Sequence, residues 1–83
     1  MNLTVLTPEK EFFSGEIKGV IVPGTKGEFK VLDNHAPIIS SLGAGRVQIL
    51  ENNGKTREFT ISTGFIEVLN NEVALLVNGL IDK

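Results

Sequence analysis

The chain has 83 residues, 41% of them apolar, with five Phe and neither Trp nor Tyr; a chain of this length buries roughly 60–65% of its unfolded surface, enough for one core but not for a deep cleft besides. Ten acidic residues against eight basic ones give a net charge of −2, and the bases are scattered from Lys10 to Lys83, so the basic stripe that a nucleic-acid backbone requires is missing. The absence of cysteine excludes disulfides and thiolate chemistry.

In chain order, short β-prone runs alternate with turn residues, a spacing that argues for a sandwich or barrel. The opening Met1-Asn2-Leu3-Thr4-Val5 has neither the basic region nor the apolar run of a secretory signal. Leu3 to Leu6 is the first predicted strand and stops at Thr7-Pro8. Glu16 to Val22 is the second, stopping at Pro23-Gly24, and Glu28 to Leu32 the third. Ile38 to Leu42 follows and ends at Gly43-Ala44-Gly45.

The clearest pair comes next. Val47 and Ile49 alternate with Arg46 and Gln48, the period of two that puts apolar side chains on one face. Asn52-Asn53-Gly54-Lys55 predicts a type I′ hairpin, because Asn-Gly tolerates positive φ, and Arg57 to Ile61 returns with Phe59 and Ile61 inward. A second hairpin joins Phe65–Leu69 to Val73–Val77 through Asn70-Asn71. No stretch approaches the ~20 apolar residues of a membrane-spanning helix, and no amphipathic helix is visible. The expectation is a single all-β domain over residues 1–83, a two-sheet sandwich, in a soluble and cytoplasmic chain.

The usual catalytic signatures are missing. His35 is the lone histidine, so metal binding would need carboxylates clustered around one imidazole, and none is evident. A triad would need His35 as its base, but Asp33-Asn34-His35-Ala36-Pro37 reads as a turn. Gly43-Ala44-Gly45 lacks the third glycine and the following helix of a dinucleotide site, and Gly24-Thr25-Lys26-Gly27 lacks the ending of a phosphate loop. Lys55 at a hairpin tip raises an alternative, since biotinyl and lipoyl carrier domains present a modified lysine there. The methionines and the acidic-Asp-Lys-Ala context of those sites are, however, absent around Lys55.

One ordered series does carry a family signal. Phe13-Ser14-Gly15-Glu16 leads into Val20-Ile21-Val22-Pro23-Gly24-Thr25-Lys26-Gly27-Glu28-Phe29, then Val31-Leu32-Asp33-Asn34-His35-Ala36-Pro37-Ile38-Ile39-Ser40, Gly45-Arg46-Val47, and Gly64-Phe65-Ile66-Glu67-Val68. It resembles the N-terminal domain of the epsilon subunits of F-type ATP synthases, from about Val5 to Val77. The resemblance implies a flattened two-sheet β-sandwich of about ten short strands, without catalytic site, cofactor or metal. It implies a non-catalytic central-stalk role, coupling proton flow to ATP synthesis, with the gamma subunit and the c-ring subunits as partners, at the cytoplasmic side of the membrane.

Carried over residue by residue, Thr25, Lys26, Gly27, Glu28 and Phe29 match the turn that meets the polar loops of the c ring. His35, Ala36, Pro37, Ile38 and Ser40 match the segment near gamma. The family's Pro-Gly before the histidine is Asp33-Asn34 here, and Lys30 replaces a common glycine. Asn tolerates left-handed φ better than other non-glycine residues, so the turn is expected to survive at Asn34. The family's C-terminal helical hairpin, which inhibits hydrolysis and in some members binds ATP, would begin near Leu80-Ile81-Asp82-Lys83. Neither property is expected of these 83 residues.

Overall fold

A computed structural model describes residues 1–82 and contains no helix among them. Eight strands follow in order: β1 Asn2–Leu6, β2 Glu11–Gly24, β3 Gly27–Leu32, β4 Ile38–Leu42, β5 Gly45–Glu51, β6 Thr56–Ile61, β7 Thr63–Leu69 and β8 Glu72–Asn78. The expectation of about ten short strands meets eight because β2 runs on for 14 residues and serves two neighbourhoods. Its first half pairs antiparallel with β1 (Leu3 opposite Gly15), and its second half with β3 (Val20 opposite Val31) and β5 (Val20 opposite Ile49). The sequence reading starts this strand at Glu16 and misses Glu11–Gly15, where the apolar alternation is broken by Ser14 and Gly15.

The pairings make two layers. In one, β1, β8, β7 and β4 lie side by side, with β1 and β8 parallel; in the other, β3 and β5 flank β2, and β6 lies beyond β5. Strand β2 passes between the layers, touching β1 at its start and β4 at its end through Gly24 opposite Leu42. A register shift between Ile17 and Gly19 marks where it bends, as a bulge does. Gly19 makes room there: a Cβ would stand 2.7 Å from Leu32 Cδ2 and 3.1 Å from the Val31 carbonyl oxygen, so the Leu32 side chain would have to shift. Extents of 27 × 25 × 21 Å give a slightly flattened body.

Between the layers lies an aliphatic core. Leu3 and Val5 of β1, Val20 and Val22 of β2, and Ile66 and Leu75 of β7 and β8 have no solvent exposure. Each such side chain is worth about 1.5–3 kcal/mol of burial. Among the described residues no polar or charged residue is buried, and no buried side-chain nitrogen or oxygen lacks a partner. Phe59 is the one phenylalanine fully inside; Phe12 meets it edge-on, centroids 5.1 Å apart. The Arg57 guanidinium covers Phe12 at 5.0 Å and Phe13 at 5.7 Å and reaches Asp82 at 3.7 Å. The chain's last described turn thus closes over the edge of β6, where Thr60 and Ile81 exchange backbone hydrogen bonds.

The two Asn-containing hairpins divide the turn types differently from the sequence expectation. At Asn70-Asn71 both residues have positive φ, 51° and 65°, and Leu69 pairs directly with Glu72, the two-residue type I′ pattern. At Asn52-Asn53-Gly54 only Gly54 is positive, at 86°. There the Gly54 N–H donates to the Glu51 carbonyl and the Glu51 N–H to the Lys55 carbonyl. That is a three-residue loop with a glycine bulge rather than the expected type I′ turn; one extra residue relaxes the need for positive φ at Asn53.

Candidate functional site

The β2–β3 hairpin projects from one end of the sandwich with Thr25 and Lys26 at its tip and Gly24 paired to Gly27. Two backbone bonds stitch it to the end of β4: the Thr25 N–H donates to Ser41 O (3.2 Å) and the Gly43 N–H to Pro23 O (2.8 Å). Thr25 through Phe29 consequently share an open groove of about 580 Å³ with Ile38, Ile39, Ser40 and Ser41. The segments carried over separately, one for the ring and one for gamma, are brought together at β4.

Within this end, Glu28 lies in β3 opposite Pro23, exposed and, among the described residues, without an ion-pair partner. Lys26 and Lys30 are also exposed, whereas Phe29 turns partly inward against the core. The end therefore offers both signs of charge on short, well-held backbone.

The loop from Asp33 to Pro37 is tied down at each step. Its Asp33 carboxylate accepts from the Met1 α-amine at 2.8 Å, and the Asn34 N–H donates to Asn71 Oδ1 at 2.9 Å. Asn34 has φ 63°, the left-handed conformation expected from its place in the motif. His35 is half-buried; its N–H donates to the Leu32 carbonyl, and its Nδ1 lies 2.7 Å from the Ala36 carbonyl. The tautomer with Nδ1 protonated satisfies that contact. Among the described residues no cluster of three or more His, Cys, Asp or Glu is placed to hold a metal.

Along β4 the pleat separates the expected contact residues. Ile38 and Ser40 are half-buried on the inward side, while Ile39, absent from the predicted set, is 75% exposed on the outward side. Outward on the same layer stands an apolar row in register: Leu6 of β1 opposite Leu76 of β8, and Leu76 opposite Phe65 of β7. All three are exposed, as is Leu69. The neighbouring rows place Thr4, Ala74, Glu67 and Ile39 side by side, then Asn2, Glu72 and Leu69. Among the described residues of these four strands, Glu67 and Glu72 are the charged side chains on this face, and Glu11 and Glu16 of β2 border it opposite Leu6 and Asn2. Shallow depressions of about 250 Å³ beside Leu6, Phe65 and Leu76 and about 380 Å³ beside Pro37, Ile39 and Leu69 leave it open. Sequence reasoning missed this face, although Leu75-Leu76 and Phe65-Ile66 carried its signal: adjacent apolar residues in one strand put apolar surface on both sides.

The family model for the β-sandwich domain of the ATP synthase delta/epsilon chain matches residues 1–83. The ATP synthase epsilon chain of Leptospira borgpetersenii is 38% identical over 78 residues, covering 94% of this chain and 61% of that one. That of Chlorobaculum tepidum is 45% identical over 75 residues, covering 90% and 85%. The chain thus spans about three fifths of the first relative and most of the second. A chain in the Euglena gracilis mitochondrial ATP synthase, solved as OSCP/F1/c-ring, superimposes with a TM-score of 0.90 at 22% identity, covering 96% of this chain and 51% of that chain. That last likeness is one of fold. The carrier reading of Lys55, an exposed residue following the Gly54 bulge, finds no support among these relatives. With the family model spanning every residue and the layers, hairpins and Asn34 turn arranged as its motifs imply, the chain belongs to the β-sandwich domain family of the ATP synthase delta and epsilon chains.

Proposed function

We propose that this domain is a non-catalytic part of the rotor of a proton-translocating F-type ATP synthase, bound to gamma by one face and to the c ring by one end. The observation that carries the reading is the outward face of β1, β8, β7 and β4, where Leu6, Leu76 and Phe65 stand exposed in register beside Ile39. A contiguous exposed apolar patch on so small a domain is the mark of a protein interface. Covering each of these large side chains contributes about 1.5–3 kcal/mol when fully buried, a strong, non-directional attachment suited to a permanent neighbour such as gamma.

The hairpin end has the opposite character. Thr25, Lys26 and Glu28 are exposed and polar, fitting polar loops on a ring whose contacts set register more than affinity. Torque transmission needs the two contact regions held rigidly with respect to each other. Strand β4 supplies this, because Ile39 and Ser41 belong to the apolar layer and line the hairpin groove as well. In this role the domain lends no catalytic group, and it is peripheral to the membrane, on the cytoplasmic side with the catalytic head.

Reconstitution tests the reading. Synthase stripped of its native epsilon subunit and supplied with this chain is expected to recover ATP-driven proton pumping, with the chain co-purifying with gamma and c subunits. Failure to co-purify with either would overturn it.

A further inference from the structure

We propose that Asn53, at the tip of the β5–β6 hairpin, is a site of spontaneous deamidation, and that the fold directs this chemistry there and away from Asn78. The chain has two Asn-Gly steps, Asn53-Gly54 and Asn78-Gly79. The reaction brings the backbone nitrogen of the second residue onto the side-chain carbon of the first, and glycine, with no Cβ, obstructs that approach least. The Gly54 nitrogen attacks Asn53 Cγ and passes its proton to a solvent base. The Cγ–Nδ2 bond then breaks, and the departing nitrogen takes up a proton and leaves as ammonia. Water opens the resulting succinimide at either carbonyl, giving isoaspartate or aspartate with no change of oxidation state.

Asn52 through Thr56 are exposed, so water and base reach the site. Asn53 Oδ1 accepts from the Lys55 N–H at 2.9 Å. Negative charge develops on this oxygen as the nitrogen adds, and a donor already held there favours the step. One bond opposes it: the Gly54 N–H donates to the Glu51 carbonyl at 3.1 Å and must first come free. It lies at an exposed loop tip, where local opening costs least. Asn78 is held otherwise. It ends β8 opposite Thr63, and its carbonyl accepts from the Ser62 N–H at 2.9 Å. Gly79 packs against Ser62 so closely that an added Cβ would have no room. Swinging the Asn78 side chain over the Gly79 nitrogen therefore requires the end of the β7–β8 pair to open. Asn71 Oδ1 also accepts a backbone N–H, from Asn34, but its successor is Glu72, whose Cβ hinders attack. At Asn53 the isoaspartate product adds a methylene to the loop between Glu51 and Lys55 and places a carboxylate beside Lys55.

The test stands whether or not the domain binds gamma. The chain is held near pH 8 for weeks, folded in buffer and unfolded in guanidinium chloride. It is then digested and read by mass spectrometry, with fragmentation that distinguishes isoaspartate from aspartate. In the folded chain Asn53 is expected to gain one mass unit at least about tenfold faster than Asn78, because only its site opens locally. In denaturant the two rates are expected to come within about threefold of each other, the fold no longer separating them. No gain at Asn53 in the folded chain, a rate there no faster than at Asn78, or a preference that persists undiminished in denaturant overturns the proposal.

Discussion

Leu76 of β8 and Phe65 of β7 face each other across adjacent strands on the outward side of the sandwich, 49% and 57% exposed. Six residues earlier in the chain, Phe59 is 2% exposed inside the core. The two phenylalanines differ in surroundings: Phe59 packs in the core, and Phe65 stands on an exposed face. Phe59→Ala is expected to cost about 3–5 kcal/mol by loss of burial and creation of a cavity. Phe65→Ala is expected to cost less than about 1 kcal/mol, the worth of an exposed cross-strand pair. Urea melts of the two variants check this; equal losses would mean that the face at Phe65 belongs to the fold.

The left-handed turn at Asn34 makes a second prediction. With φ at 63°, Asn34→Gly relieves what strain remains and is expected to be neutral or slightly stabilising, whereas Asn34→Val is expected to cost about 1–2 kcal/mol through its branched Cβ. Denaturant midpoints of the pair decide the matter, and a Val variant as stable as the Gly variant would refute it.

That turn also shows what the sequence could and could not disclose. Positive φ at Asn34 was legible because the motif position calls for glycine and Asn is the nearest substitute. The strand cores were legible from alternation, as at Val47 and Ile49. The bend of β2 was not, since it depends on Gly19 fitting beneath Leu32 and Val31, residues made neighbours only by pairing. The convergence of Thr25–Phe29 with Ile38–Ser41 was hidden for the same reason: it rests on the two backbone bonds from Thr25 and Gly43. The Met1–Asp33 contact joins residues 32 positions apart with no local pattern to announce it.

In a polypeptide that starts at Met1, the α-amine gives the stability a pH dependence of definite sign. The Asp33 carboxylate accepting its hydrogen bond raises the amine above its ordinary value of 8.0, partial desolvation opposing and Glu16 assisting. The folded form therefore holds this proton more tightly than the unfolded chain does. Its contribution is fully present below about pH 8 and is lost as pH climbs through the raised folded value. Stability relative to Asp33→Asn is expected to narrow between pH 7 and pH 10. A gap that stays constant would show that Asp33 acts otherwise than through this amine.

Charge reversal at the hairpin end separates association from folding. Glu28 is exposed and without an ion pair among the described residues, so Glu28→Lys is expected to change the stability of the isolated domain by less than about 0.5 kcal/mol. In reconstituted synthase the same change is expected to reduce ATP-driven proton pumping. Pumping equal to that of the natural chain would remove Glu28 from the ring contact.

The central claim is that the apolar outward face binds gamma, and calorimetric titration of purified gamma subunit with this chain addresses it most directly. The natural chain is expected to bind with one-to-one stoichiometry. Phe65→Asp is expected to weaken binding at least about tenfold, the equivalent of 1.4 kcal/mol, while Lys55→Ala, at the tip of the β5–β6 hairpin, leaves it unchanged. Binding of Phe65→Asp as tight as that of the natural chain, or no binding by the natural chain, would contradict the account.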